Sequence, residues 1–333
     1  MKMIEAINLT KCYRKFQAVD HLNFEVEKGE ILGFLGPNGA GKTTTIKILN
    51  TLIAPTSGIA RVNGFDVTKN KMDVRRSIGL VPQDFTLDRD MTGLENLVIQ
   101  SRLYDVPQAI ARTKIQELLK LVDLEKAAQR EVSTYSGGMQ KRLELAMGLV
   151  HTPKVLFLDE PTLGLDAQSR LSIWSYIKKL NQDFHVTIFL TTHYLEEADE
   201  LCNRIIIIDG GKIMVEGTPQ ELKDSLGGEV VELGLSRQLD EEELNRLLKP
   251  LPGVLKVWVN DKKCYAATTD SESLIPKLIL SLAKNAIETR NVSVTKASLN
   301  QVFLKHIVPR SDSQEDEDEM KLLLRERMIK ERS

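Results

Sequence analysis

The sequence predicts an α/β fold: a mostly parallel sheet flanked by helices, with an antiparallel β portion, a helical insert and a small α+β domain at its end. Three observations predict it. The apolar run Ile31-Leu32-Gly33-Phe34-Leu35 leads straight into a glycine-rich loop and then a helical pattern. A second apolar run, Val155-Leu156-Phe157-Leu158, ends in the carboxylates Asp159 and Glu160. Past Gly227-Gly228 the pattern changes to short strands and helices in the order β-α-β-β-α-β.

Residues 1–83 read as short strands separated by turns at Glu27-Lys28-Gly29 and Val62-Asn63-Gly64, arranged around one helix. The loop Gly36-Pro37-Asn38-Gly39-Ala40-Gly41-Lys42-Thr43 fits G-x-x-x-x-G-K-[ST] at every fixed position. Glycines there let the backbone turn its N–H groups inward, and the helix that follows adds positive potential, so the loop is an anion cradle. Lys42 is placed to reach the β- and γ-phosphates of a nucleoside triphosphate, and the Thr43 hydroxyl to hold Mg²⁺. Thr44 adjoins them in the first helical turn. Apolar spacing through Ile46, Leu49 and Ile53 extends this helix over Lys42 to Leu52.

The Mg²⁺ partner belongs at the end of another buried strand, and Asp159 stands there. Glu160 follows it, a carboxylate suited to orienting or deprotonating an attacking water. Gln83 follows the strand Ile78 to Val81, where a neutral amide can touch Mg²⁺ or water and release them cheaply. His193 follows the buried-strand pattern Val186 to Leu190.

Residues 84–152 read as largely helical. Thr92 and Glu95 make a capping box, and Ile115, Leu118, Leu119 and Val122 mark an amphipathic helix. Residues 153–217 return to alternating strands and helices, with Arg204 to Asp209 and Lys212 to Val215 forming a hairpin across Gly210-Gly211. Residues 228–308 carry the β-α-β-β-α-β pattern, which is ferredoxin-like, then a helix with Leu299, Val302, Phe303 and Ile307 on one face. Dimer stabilisation or regulation is the expected role of this domain. The tail, 309–333, opens with the acid run Glu315 to Glu319 and continues with a stripe of Met320, Leu323, Leu324 and Met328.

Composition narrows the class. Lys+Arg 45 against Asp+Glu 47 gives a formal net charge of −2 over 333 residues, so no basic field recruits nucleic acid. Cys12, Cys202 and Cys264 are widely spread, which implies neither a disulfide framework nor a zinc site. No apolar run reaches the roughly 18–20 residues that cross a bilayer, and the N-terminus shows no signal-peptide pattern. A reducing cytosol is the default compartment.

Taken with these motifs, Ser136-Gly137-Gly138-Met139-Gln140 makes residues 4–225 resemble an ABC-transporter nucleotide-binding subunit. In that likeness Ser136, Gly137 and Gly138 form the family signature, Gln83 the Q-loop, Gly164-Leu165-Asp166 the D-loop and His193 the switch histidine. Tyr13 stands where the family stacks an aromatic on adenine, with Phe16 near enough to compete. The resemblance implies a P-loop NTPase core, with ATP and Mg²⁺ as cofactors. It also implies a homodimer in which each signature closes the other chain's site, and attachment through a permease to the inner face of the cell membrane. Tyr135 replaces the usual leucine and Met139 the usual glutamine, leaving Ser136 and the two glycine N–H groups intact. The variant Tyr-Ser-Gly-Gly-Met-Gln-Lys-Arg resembles drug-resistance exporter ATPases paired with ABC-2-type permeases, and export is inherited from that likeness. The alternatives are a regulatory or DNA-associated ABC ATPase with no transport role, and a binding-only cassette. The short helical insert and near-neutral charge weigh against the first, and intact Lys42, Asp159, Glu160 and His193 against the second.

Overall fold

The computed structural model describes residues 1–307. Two compact units emerge, Met1–Lys223 and a second beginning at Asp224. In the first, β1 (Lys2–Tyr13) and β2 (Phe16–Glu27) pair antiparallel. Short strands are the sequence expectation here, yet each runs 12 residues. Register shifts along the pair, one of them between Ala6 and Leu9, explain the difference. Such bulges bend and twist a long ribbon onto the core without ending it.

β3 (Ile31–Leu35) is buried along its whole length and delivers the chain into α1 (Lys42–Leu49). This helix stops short of the expected Leu52. Thr51 takes φ 62°, and the amides of Leu52 and Ile53 both fold back onto the Lys47 carbonyl. Pro55 follows closely and disfavours helical geometry in the residue before it. Ile53 still packs against the core. β4 (Ser57–Val62) and β5 (Phe65–Asp66) complete an antiparallel sheet of order β2-β1-β4-β5.

After α2 (Lys71–Ser77) and β6 (Ile78–Val81) comes the helical insert: α3 (Gly93–Leu103), α4 (Gln108–Leu121) and α5 (Gly137–Leu149). The capping box forms at α3, where Thr92 Oγ1 accepts from Glu95 N and Glu95 Oε2 accepts from Thr92 N. The amphipathic stripe of α4 is buried as its spacing requires, through Ile115, Leu118, Leu119 and Val122.

The chain returns through β7 (Val155–Asp159), α6 (Ala167–Phe184), β8 (Thr187–Thr192) and α7 (Leu195–Leu201). It finishes the unit with β9 (Arg204–Asp209), β10 (Lys212–Gly217) and α8 (Pro219–Asp224). The second sheet has the order β10-β9-β3-β8-β7-β6, parallel except where β10 folds back on β9. Phe24 of β2 meets Phe34 of β3 at 5.5 Å, and Phe34 and Phe157 flank Phe189 of β8 at 5.3 and 5.6 Å. These tilted rings fill the space between the sheets. Among the described residues no helix is long and apolar enough to cross a membrane.

The second unit runs β11 (Glu229–Leu235), α9 (Glu241–Leu248), β12 (Lys256–Asn260), β13 (Lys263–Thr268), α10 (Ser271–Lys284), β14 (Thr289–Lys296) and α11 (Leu299–His306). Its sheet order, β12-β13-β11-β14, is antiparallel throughout and is the ferredoxin-like topology. Val231, Leu233, Leu244, Leu248, Leu274 and Leu278 form its core. On α11, Leu299 and Val302 are buried, whereas Phe303 and Ile307 are only half-buried. The acid run Glu315 to Glu319 and the stripe Met320 to Met328 lie outside the described residues.

Candidate nucleotide site

The parallel strands β3, β7 and β8 end at one edge of the sheet, and each leaves a functional group there. Ligands of open α/β sheets bind at this carboxyl edge. From β3 the chain enters the loop Gly36 to Thr43. Two glycines have steric reasons to be there. A Cβ on Gly36 would lie 2.4 Å from the Ile208 carbonyl oxygen, and one on Gly41, at φ 105°, would lie 2.4 Å from that of Ala18. The loop is therefore wedged between β9 and β2. It is also braced from the following hairpin, because Gly211 N donates to Ala40 O at 3.1 Å. Pro37 is half-buried, Asn38 and Gly39 are exposed, and Ala40 is buried; Thr43 and Thr44 are half-buried in the first turn of α1.

Lys42 is buried to 6 % exposure. Its ammonium donates to Gly36 O at 2.7 Å and Pro37 O at 3.1 Å, and lies 3.5 Å from Glu160 Oε1. Burial pulls its pKa below the ordinary 10.5, opposed by the charges of Glu160 and, less strongly, Asp159. Glu160 sits one residue past β7 with φ 51°, a left-handed turn that swings its side chain toward the loop. Its amide donates to Thr191 O at 3.1 Å, tying this turn to β8. His193 Nδ1 faces Glu160 Oε2 at 2.6 Å. An ionised carboxylate only accepts, so Nδ1 carries the hydrogen. Asp159 accepts from Thr191 Oγ1 at 2.5 Å, and burial raises its pKa above 3.8 against that bond. The structure thus joins Lys42, Asp159, Glu160 and His193, gathered from positions far apart in sequence, into one cluster, buried at Lys42, Asp159 and Glu160 and half-buried at His193.

The other expected residues sit elsewhere. Gln83 is exposed just past β6. Ser136 is the N-cap of α5, its hydroxyl accepting from Met139 N at 3.3 Å, and both Ser136 and Gly137 are exposed. A Cβ on Gly138 would approach Ser169 Oγ to 2.7 Å, so the start of α6 leans on the start of α5. No described hydrogen bond or ion pair links Ser136 to the Lys42 cluster. Tyr13 pairs with Phe16 at the hairpin end, and the two rings are 42 % and 40 % exposed. Two residues past Phe16, Ala18 covers Gly41, which puts that hairpin end beside the loop.

Sequence reasoning missed Thr191 and Glu197. Glu197 of α7 is fully buried; its Oε1 accepts from Thr162 Oγ1 at 2.8 Å and Trp174 Nε1 at 2.9 Å. Burial raises its pKa above 4.5, partly offset by bonds from Thr192, Thr162 and Trp174. It therefore clasps the segment after Glu160 and the strand end before His193. Glu196, Asp199 and Glu200 surround it in sequence and disguise it. The available signal was its i, i+4 spacing to Leu201, which sets it on the inward face.

The ABC transporter family profile matches residues 19–163, and that of the "ATP-binding protein DrrA1-3-like, C-terminal domain" matches 217–307. The daunorubicin/doxorubicin resistance ATP-binding protein DrrA of Streptomyces peucetius is 43% identical over 303 residues, 91% of this chain and 92% of that protein. The linearmycin resistance ATP-binding protein LnrL of Bacillus subtilis is 34% identical, covering 91% of this chain and 97% of LnrL. Among solved structures, the dimeric structure of a post-hydrolysis state of the ATP-binding cassette MJ0796 bound to ADP and Pi is 29% identical. Its TM-score is 0.59, over 65% of this chain and 98% of that one.

Proposed function

We propose a function from one premise: the chain belongs to the ABC transporter ATP-binding proteins, in the branch with a DrrA1-3-like C-terminal domain. It is an ATP-binding and ATP-hydrolysing subunit. Its proposed role is to power an ABC-2-type exporter through a separate membrane permease, on the inner face of the cell membrane. Relatives are named for drug resistance and for Nod factor export, which supports outward transport. The observation that carries the catalytic part is the contact of Glu160 with both Lys42 and His193, at 3.5 and 2.6 Å.

In this reading Gly36, Gly39 and Gly41 open the loop for phosphate oxygens, which take over the Lys42 hydrogens now given to Gly36 O and Pro37 O. The Thr43 hydroxyl, Gln83 amide and Asp159 carboxylate are hard oxygen donors that suit Mg²⁺. When bound, that ion neutralises charge on the β- and γ-phosphates. Glu160 accepts the proton of the attacking water. His193 holds Glu160 in place and meets the γ-phosphate, and Tyr13 stacks on adenine.

Ser136, Gly137 and Gly138 open a helix N-terminus, an anion site that no described hydrogen bond or ion pair joins to the chain's own Lys42. A second copy packed head-to-tail brings its nucleotide to this N-terminus, each signature closing over the other chain's loop. Hydrolysis removes the γ-phosphate contacts and lets the pair open. Asn38→Cys combined with Ser136→Cys, in a Glu160→Gln background, tests this. Cross-links between separate chains that require ATP are expected, and linkage within one chain overturns the scheme. Pull-down of the full chain from membranes should bring an integral membrane protein; its absence removes the transport role.

A further inference from the structure

The signature helix carries a buried charge pair that nucleotide chemistry does not use. Lys141 and Glu144 of α5 are 1% and 2% exposed, and their Nζ and Oε2 lie 2.9 Å apart. Burying two charges is costly unless the remaining hydrogen-bonding capacity is matched. Here Lys141 Nζ and Glu144 Oε1 are matched by a single segment, the one that contains Gln83, and Glu144 Oε2 has the ion pair alone. Lys141 Nζ donates to Pro82 O at 3.1 Å and Gln83 O at 3.4 Å, and lies 4.9 Å from the Phe85 ring centroid. Glu144 Oε1 accepts from Thr86 N at 2.7 Å and Thr86 Oγ1 at 3.3 Å. One side chain grips the carbonyls at the start of the segment and the other grips the amide at its end.

The far end of α5 is joined to the same element in a different way. A Cβ on Gly79 of β6 would lie 2.1 Å from the Gly148 carbonyl oxygen, so helix and strand touch backbone to backbone. Two attachments, one steric and one ionic, make α5, β6 and the segment Pro82 to Thr86 move together. Ser136 caps the N-terminus of that same helix.

We propose that Lys141 and Glu144 are positioning residues that transmit engagement of Ser136 by the partner's nucleotide to Gln83 in the chain's own site. The inference rests on the two-chain site proposed above. Coupling of this kind requires a contiguous element that both sites bias, and the clamped helix is contiguous from Ser136 to the segment that holds Gln83. Occupancy of one site thereby sets the metal- and water-facing amide of the other.

The test uses the full chain in a Glu160→Gln background, with Cys12→Ser and an environment-sensitive dye on Asp84→Cys, an exposed position beside Gln83. At saturating ATP, dye emission should change with protein concentration as dimers form, followed in parallel by size-exclusion chromatography. Lys141→Met with Glu144→Gln removes both charges while keeping an acceptor for Thr86 N, so the fold is retained. In that variant the dimer should still form but emission should no longer follow protein concentration. With Glu160 restored, kcat should fall about tenfold with KM changed by less than about twofold. Lys141→Arg should recover both signals. A dye response that follows dimerisation equally in the double variant overturns the coupling while leaving the two-chain site standing. If no ATP-dependent dimer forms in the parent protein, the two-chain site fails and the coupling with it.

Discussion

Replacing Glu160 with Gln separates binding from chemistry at this site. The change is isosteric, and an amide oxygen still accepts from His193 Nδ1, so the imidazole keeps its place. What disappears is one negative charge 3.5 Å from the Lys42 ammonium, with both side chains almost fully buried. At an effective dielectric of about 20, that attraction is worth about 5 kcal/mol. Phosphate oxygens must displace part of it to recruit Lys42. Asp159 also faces the ammonium and retains a share. Recovering about 1–2 kcal/mol of the attraction tightens ATP binding by about 5- to 30-fold. Loss of the proton acceptor should meanwhile slow hydrolysis by about 10²- to 10⁴-fold. Equilibrium binding of a fluorescent ATP analogue measures the first effect, single-turnover phosphate release the second, and size-exclusion chromatography shows whether dimers accumulate with ATP. Hydrolysis within about threefold of the parent rate would falsify the role given to Glu160. Weaker ATP binding would show that Lys42 is not held back by this carboxylate.

Four further outcomes are expected. Lys42→Met should weaken ATP binding by at least about tenfold, since it removes charge-assisted bonds to phosphate; unchanged affinity takes Lys42 out of the site. Gly41→Ala should lower the melting temperature as well as activity, at a cost of about 2–4 kcal/mol, because φ 105° and the Ala18 carbonyl at 2.4 Å both oppose a side chain. Glu197→Gln should raise stability at pH 8. Burial lifts the native pKa of Glu197 above 4.5, so the native state binds its proton more tightly than the unfolded one. Its ionisation therefore destabilises the fold increasingly as pH rises from 4.5 through the native pKa, and the Gln variant's advantage should vanish near pH 4. An advantage independent of pH contradicts the assignment of a buried charge. In the native protein a maleimide should label Cys12 alone: burial pushes the Cys264 thiol to about 12 and that of Cys202 well above 9.0. Denaturation should then expose all three cysteines.

Much of the site was legible because its parts follow directly from backbone chemistry. A loop that must point several N–H groups at an anion needs glycines at fixed spacing, and Gly36 to Thr43 shows them in linear order. Asp159 and Glu160 could be placed because a buried strand had to end beside that loop. Convergence was not legible from local pattern. The contact between His193 and Glu160 depends on β8 lying beside β7, a pairing between segments some distance apart in the chain. Glu197 and the pair Lys141 and Glu144 were hidden for a related reason. A charged residue in a helix reads as solvated unless its partners are known, and these partners lie on remote segments: Thr162, Trp174 and Thr192 for Glu197, and Pro82 to Thr86 for the pair. Helix ends also escaped: α1 stops at Leu49 because of the turn at Thr51, although the apolar spacing runs on to Ile53. The β-α-β-β-α-β order was readable since each of its strands is short and bounded by polar turns, unlike the long bulged ribbon at the N-terminus.

The left-handed backbone at Glu160 has an evolutionary corollary. Side-chain-bearing residues lose about 1 kcal/mol in that conformation, whereas glycine loses little and asparagine tolerates it comparatively well. The attraction between this carboxylate and the buried Lys42 ammonium exceeds that loss, so the ion pair holds the strained turn in place. In a duplicated copy that has first lost Lys42 nothing offsets the strain, and the position is then free to drift to Gly or Asn.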